Sequence, residues 1–391
     1  MMRNVADPEL ATAGASSAVP TDVVGIAHDL ATSLAERAPS FDEGDRFVAD
    51  NYMLLKEAGL VEAGVPLELG GGGAEIAELC EMLRIMGRAC GSTALAFAMH
   101  THQVAIPAWR WRHQNVAAVE PLLKRVAAEK LILLSSGGSD WLGGSGKAEK
   151  VGGGYRITAR KVFTSGAAAG DILMTGAIHQ AEDGTEHVIH FGVPMRAPEV
   201  SVMDNWRTVG MRGTGSNDVV IDGLFIPDTA VSFSRQPRQW HPVFQIIATI
   251  AFPLIYAVYL GVAESARDIA VEIAGTRQQN ETVLNLAGRM DTALRAAQLA
   301  HRSMVEAAER NMPSAESVND VMIGRTLVAR HGLEVVELAM ELAGGASFYR
   351  ATGIERRFRD MQAARFHPLQ AGPQAQYAGA MALGLPVNKI F

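Results

Sequence analysis

Apolar and polar positions along this chain change period twice, and the changes divide it into three parts. Over residues 22–130, charged side chains alternate with Leu, Val, Ala and Met at steps of three and four, as in Leu79, Leu83 and Met86. That spacing predicts amphipathic helices. Pro66 and the glycine run 70–73 break the pattern once. Over residues 131–235, glycine and β-branched residues rise together, and short runs bounded by Gly, Asp or Pro turns predict antiparallel strands. Residues 155–163 and 187–194 are the clearest of them. After Trp240 the helical period returns to the end of the chain, in three or four long segments. One of these places Gly332, Val335, Val336, Ala339 and Leu342 on a stripe that stops at Gly344 and Gly345.

The expected fold class is α+β, with an N-terminal helical domain (22–130), a middle β-barrel-like domain (131–235) and a C-terminal helical bundle (236–391). A disordered tail (1–21) is expected in front of them, and no internal repeat is visible.

Composition narrows the function classes. With 391 residues, 48% of them hydrophobic, the chain is long enough for two or three filled cores. A net charge of -7 without a basic cluster leaves no electrostatic footprint for nucleic acid. The Ala-, Ser-, Pro- and Gly-rich start has no apolar core of signal-peptide length, and no later window is expected to reach membrane-spanning length without a charge. A cytoplasmic protein that does not enter a membrane is the expectation. Cys80 and Cys90 fall on one predicted helix, ~15 Å apart along its axis, which is too far for a disulfide. His187 and His190 are expected to line one face of their strand, and without a third ligand nearby no metal site is expected.

Three segments carry candidate chemistry: LLSSGGSD at 133–140, YRITARKVFTSGA at 155–167 and GMRGTGSNDVV at 210–220. Thr164, Ser165, Gly166 and Ala167 close a predicted strand, where small residues expose main-chain groups and hydroxyls to a ligand. The same tetrapeptide also suits an ordinary turn. In this order and spacing the segments resemble the middle domain of the acyl-CoA dehydrogenase superfamily. VPLELGGGG at 65–73 resembles that family's early connector, and no Lys-Ser or Lys-Thr follows it to make a phosphate loop. The resemblance implies a flavin, FAD or FMN. It places Ser135, Phe163, Thr164 and Ser165 around the isoalloxazine, with Phe163 on the ring face and the Ser165 hydroxyl donating to N5. Gly344 and Gly345 match a family contact to the adenine end, and a homotetramer, or at least a dimer, is implied.

Departures from the dehydrogenases matter as much as the match. These enzymes remove a substrate α-proton with a glutamate, usually after an Arg-Asp signature near the C-terminus. Here Arg359-Asp360 is followed by Ala363, Ala364, Arg365, Phe366, His367 and Pro368, without a carboxylate. The second family position for the base aligns with Ala251, and Glu264 is the first acid beyond it. The Arg-x-x-Phe-Gly arm that reaches a neighbour's FAD is reduced to Arg277 followed by Gln278, Gln279, Asn280 and Glu281.

A His-Pro pair after Arg-Asp is similar to the superfamily's flavin-monooxygenase branch, 4-hydroxyphenylacetate hydroxylase-like and dibenzothiophene monooxygenase-like enzymes that receive reduced flavin from a separate reductase. The branch also presents a histidine from its N-terminal domain. His100 is the first choice and His102 the reserve, although a histidine on an apolar helix also serves as plain core. His367, His100 and Ser165 form the expected catalytic set. Phe244, Phe252, Tyr256 and Tyr259 are either a substrate wall or core. The expected activity is monooxygenation of a small organic substrate. The alternatives are an acyl-CoA dehydrogenase with an atypical base and a non-catalytic flavin-fold binding subunit.

Overall fold

A computed structural model describes residues 19–387; most of the expected tail at 1–21 lies outside them. Helices α1 (Val23–Glu43), α2 (Ala49–Glu57), α3 (Ile76–Ala89), α4 (Gly91–Gln114) and α5 (Glu120–Glu129) come first. Asp22 caps α1 by accepting the Gly25 N–H at 2.8 Å, which satisfies one of the free donors of the first turn. Cys80 and Cys90 do not share a helix: Cys90 is the extended residue that ends α3 and starts α4, and both thiols are free and buried.

The middle of the chain is one mixed sheet. Its elements are β1 (Leu133–Ser135), a single helical turn α6 (Ser139–Leu142), β2 (Lys147–Val151), β3 (Gly154–Lys161), β4 (Ile172–Gln180), β5 (Glu186–Pro194), β6 (Val200–Val202), β7 (Val219–Pro227) and β8 (Phe233–Arg235). The strand order is β6-β7-β3-β2-β4-β5-β8, and β1 lies parallel to β4. The β3–β7 pairing sets Lys161 opposite Val219, and so brings together the two strand ends that carry the candidate chemistry. His187 and His190 do not line one face. They are three residues apart on a period-two strand, so they face opposite sides. His190 stacks on Phe233 and accepts from Arg235 Nε, whereas His187 lies beside Thr185.

Helices α7 (Val243–Gly275), α8 (Glu281–Glu309), α9 (Ala315–Ala343), α10 (Ile354–Met361) and α11 (Ala371–Ala382) complete the described chain. Helix α7 is the axle, packed against α3, α4, α8, α9 and α10. Its crossing with α3 is set by two glycines: a Cβ on Gly87 would lie 2.5 Å from the Val258 carbonyl oxygen, and one on Gly261 would lie 2.2 Å from that of Arg84. Any larger residue at either place would push the helices apart. Contrary to the sequence expectation, α7 has an uncharged stretch (243–263) long and apolar enough to cross a membrane. Nearly all of it is buried between neighbouring helices, which explains why it is apolar on every face.

Candidate functional site

The ends of β1 and β3 build the first side of the site. Just past β3, Phe163 adopts a left-handed backbone with φ 55°, unusual for a residue with a side chain. Its ring is 58% exposed and meets Trp206 edge-on at 5.8 Å. The Thr164 N–H donates to the Asn217 carbonyl and the Gly166 N–H to that of Thr214, which pins the turn to the segment before β7. At the end of β1, Ser136 shares a hydrogen bond with Thr175 at 2.9 Å. Beside it a wholly buried Lys161 ammonium donates to the Gly176 carbonyl at 2.6 Å and pairs with Asp140 at 3.1 Å.

The Ser165 hydroxyl belongs to a directed chain. Thr214 Oγ1 donates to the Met211 carbonyl at 2.9 Å, so in its 2.8 Å contact with Ser216 it accepts. Ser216 therefore spends its proton on Thr214, and Ser165, 2.8 Å from Ser216, must spend its own on Ser216. Ser165 is left with a free lone pair. In that arrangement Ser165 faces a ligand as an acceptor; with the two serine bonds reversed it would face it as the donor the sequence suggested.

The two histidines on α4 have opposite roles. His100 uses both ring nitrogens, donating from Nε2 to the Val61 carbonyl at 2.8 Å and accepting the Leu133 N–H on Nδ1 at 3.0 Å. It is a buried strut between the loop after α2 and β1, and burial lowers its pKa to about 4. With no nitrogen left, it is not the ligand-facing histidine. His102 differs: its buried Nδ1 has no partner among the described residues, so it is the histidine with a nitrogen left to offer. Burial and then the neighbouring His100 lower its pKa to about 4.

His367 completes this side. The chain leaves the helical turn 362–365 before Pro368, in keeping with the restriction a proline places on its predecessor. The loop is held by its backbone: Arg325 donates to the carbonyls of Ala364 and His367 at 3.0 and 2.9 Å, and Tyr256 donates to that of Ala364 at 2.8 Å. Nε2 of His367 lies 2.6 Å from the Tyr259 hydroxyl. Burial, Arg325 and His102 lower the imidazole to about 3, so it is neutral at physiological pH. Pro368 packs against Gly138, where a Cβ would lie 2.5 Å from its ring, and this joins the His367 loop to the end of β1.

Neither family position supplies a base. Ala251 is buried, and Glu264 is held by Arg84, Arg88 and Gln298. Asp360 accepts the Met211 N–H, and burial raises its pKa to about 6. At the predicted adenine end, Arg277 donates to the Ala343 carbonyl at 2.7 Å and so caps α9, while Gly345 faces open space. Phe244 and Phe252 are core. The roles of Tyr259, Arg325 and Tyr52 carry no signal in the sequence. Tyr259 and Arg325 act on residues 108 and 42 positions away, which no local pattern reveals. Among the described residues the buried Tyr52 hydroxyl, beside Gly166, has no hydrogen-bond partner.

An exposed phenylalanine against a half-buried tryptophan, a serine hydroxyl at a strand end and an imidazole nitrogen without a partner among the described residues suit a planar heterocycle with N–H groups, as an isoalloxazine is. The family comparisons agree. Residues 26–117 match the model "Acyl-CoA dehydrogenase, N-terminal domain", and residues 254–370 match "Acyl-CoA dehydrogenase, C-terminal domain". An amino sugar nitrososynthase of Streptomyces peucetius is 26% identical, the match covering 84% of this chain and 85% of that protein. An indole-3-acetate monooxygenase of Pseudomonas putida is 25% identical over 89% of this chain and 90% of its own. The solved structure of KijD3 with FMN and a dTDP-linked amino keto sugar superposes with a TM-score of 0.85 at 26% identity, covering 95% of this chain and 96% of that one. A flavin, FAD or FMN, is the cofactor these relatives support.

Proposed function

We propose that this chain, which belongs to the acyl-CoA dehydrogenase superfamily, is a monooxygenase that brings reduced flavin and dioxygen to a small organic substrate. The observation that carries the reading is the hydroxyl chain linking Ser165, Ser216, Thr214 and the Met211 carbonyl, which we read as running from Ser165 toward Met211. N5 of an oxidised flavin needs a donor, whereas N5 of a reduced flavin carries a hydrogen and needs an acceptor. Ser165 offers the acceptor. Reversing the chain would sacrifice the Thr214 bond to Met211, at about 1 kcal/mol, so reduced flavin is favoured at this position.

The bound flavin supplies the electrons that activate dioxygen, and the chain supplies the rest. Phe163 and Trp206 would pack against the ring and shield it from water. His367 and His102, both neutral, stand ready to donate or accept a proton at the substrate side. No free carboxylate stands at either family position to abstract an α-proton. Several similar proteins are nitrososynthases of amino sugars, so amines are the first substrate class to assay. We propose further that a separate reductase supplies the flavin, that the protein is a homotetramer, and that it works in the cytoplasm.

The test is flavin affinity by redox state, together with oxygen labelling. Reduced flavin should bind about fivefold or more tightly than oxidised flavin, the ratio that about 1 kcal/mol gives. Turnover of an amine panel under ¹⁸O₂ with regenerated reduced flavin should add ¹⁸O to product. Preference for oxidised flavin, or product carrying oxygen from water alone, would end the proposal.

A further inference from the structure

We infer that Tyr259 is a positioning residue that fixes the tautomer of His367, keeping its ring proton on Nδ1. One hydroxyl proton decides the matter by where it can go. Tyr259 is fully buried in the middle of α7, and among the described residues its hydroxyl has a single hydrogen-bond partner, Nε2 of His367 at 2.6 Å. If Nε2 carried the proton and donated, the phenolic hydrogen would be left buried without an acceptor among the described residues, with its desolvation uncompensated. If Tyr259 donates, both groups are satisfied. Nε2 is then the acceptor, and a neutral imidazole must hold its proton on Nδ1.

The surroundings support this assignment. Burial holds the Tyr259 phenol well above its usual range, so it keeps its proton. The groups facing His367 are Arg325 from α9, Tyr256 and Tyr259 from α7, and His102 from α4. Arg325 is cationic and opposes a second proton on the ring, and its own hydrogen bonds to the Ala364 and His367 carbonyls fix the loop rather than the imidazole. Orientation of the ring is therefore left to Tyr259. The consequence is chemical: the hydrogen left on the His367 ring is Nδ1–H, a donor. The ring offers that hydrogen as a hydrogen-bond donor while the Tyr259 hydroxyl holds Nε2.

This assignment takes the importance of His367 from the proposed function, but its first test needs no turnover. Neutron diffraction from deuterium-exchanged crystals of the wild-type protein should show deuterium on Nδ1 of His367 and on Tyr259, directed at Nε2. Deuterium on Nε2 would overturn the inference whatever the protein catalyses. The second test is Tyr259→Phe, which keeps the ring and removes the donor. With flavin binding and KM held, kcat should fall by a factor on the order of tenfold or more, the direction seen when a catalytic histidine loses its tautomer-setting partner. Should that variant fail to fold, the neutron map decides alone. A folded variant with wild-type kcat and an unchanged pH profile would also overturn the inference.

Discussion

Arg84 clasps Glu264 through two guanidinium nitrogens, Nε at 2.9 Å and Nη2 at 2.6 Å. Arg88 and Gln298 reach the same carboxylate, whose side chain is only 3% exposed. The first acid beyond the aligned base position is therefore a strut between α3, α7 and α8. Replacing it with glutamine should destabilise the fold by about 2–4 kcal/mol, less than for a wholly enclosed pair because both arginines keep contact with water. Urea unfolding measures this. Folded Glu264→Gln protein should retain oxygenation, and a variant of normal stability that had lost an acyl-CoA oxidation would make Glu264 a base after all.

Asp360 gives a pH prediction of definite sign. Burial raises its carboxyl from 3.8 to about 6, so between those values the folded chain holds the proton more firmly than the unfolded one. Its contribution is then most favourable below pH 4 and declines as pH rises to 6, by about 3 kcal/mol in all. The buried histidines act in the opposite direction. With pKa values lowered from 6.5 to about 4 for His100 and His102 and about 3 for His367, they favour folding above pH 6.5 and weaken it as acid is added. The two effects separate by difference. Subtracting the stability of Asp360→Asn from that of the wild type, from pH 4 to 7.5, should leave a curve that falls with pH; parallel profiles would refute the assignment.

The hydroxyl chain is tested at its far end. Thr214→Val keeps the shape of the side chain but removes both the donor to Met211 and the acceptor for Ser216. Ser165 is then free to turn round, and the preference for reduced over oxidised flavin should shrink toward unity. Ser165→Ala removes the N5 partner itself. It should leave the fold nearly intact and lower product formed per dioxygen consumed, with a loss of up to a few kcal/mol if the contact strengthens along the reaction. An unchanged affinity ratio in Thr214→Val would show that the chain has no set direction.

The sequence was most informative where chemistry is local. The succession of helical, β and helical regions follows from hydrophobic period, and the turn at Phe163 to Gly166 stands where the small residues place it. His100 and His102 could not be ranked, because two residues on one helix differ in what crosses above them. His100 meets the Val61 carbonyl and the Leu133 N–H, both from other segments, whereas among the described residues His102 meets no partner for Nδ1. Whether Ser165 donates or accepts is likewise set by Ser216, 51 residues away in the chain. Tyr259 looked like any aromatic on an apolar helix until the His367 loop was brought against it.

The central claim is that this site uses reduced flavin with dioxygen and does not oxidise acyl-CoA thioesters. It is tested most directly by loading the protein with oxidised flavin without oxygen, adding a panel of acyl-CoAs, and comparing flavin bleaching with oxygen uptake when reduced flavin is supplied instead. A monooxygenase of this kind should show no bleaching by any thioester, and should consume oxygen, with product, only when reduced flavin and substrate are both present. Rapid bleaching by an acyl-CoA, with no substrate-dependent oxygen uptake, would contradict it.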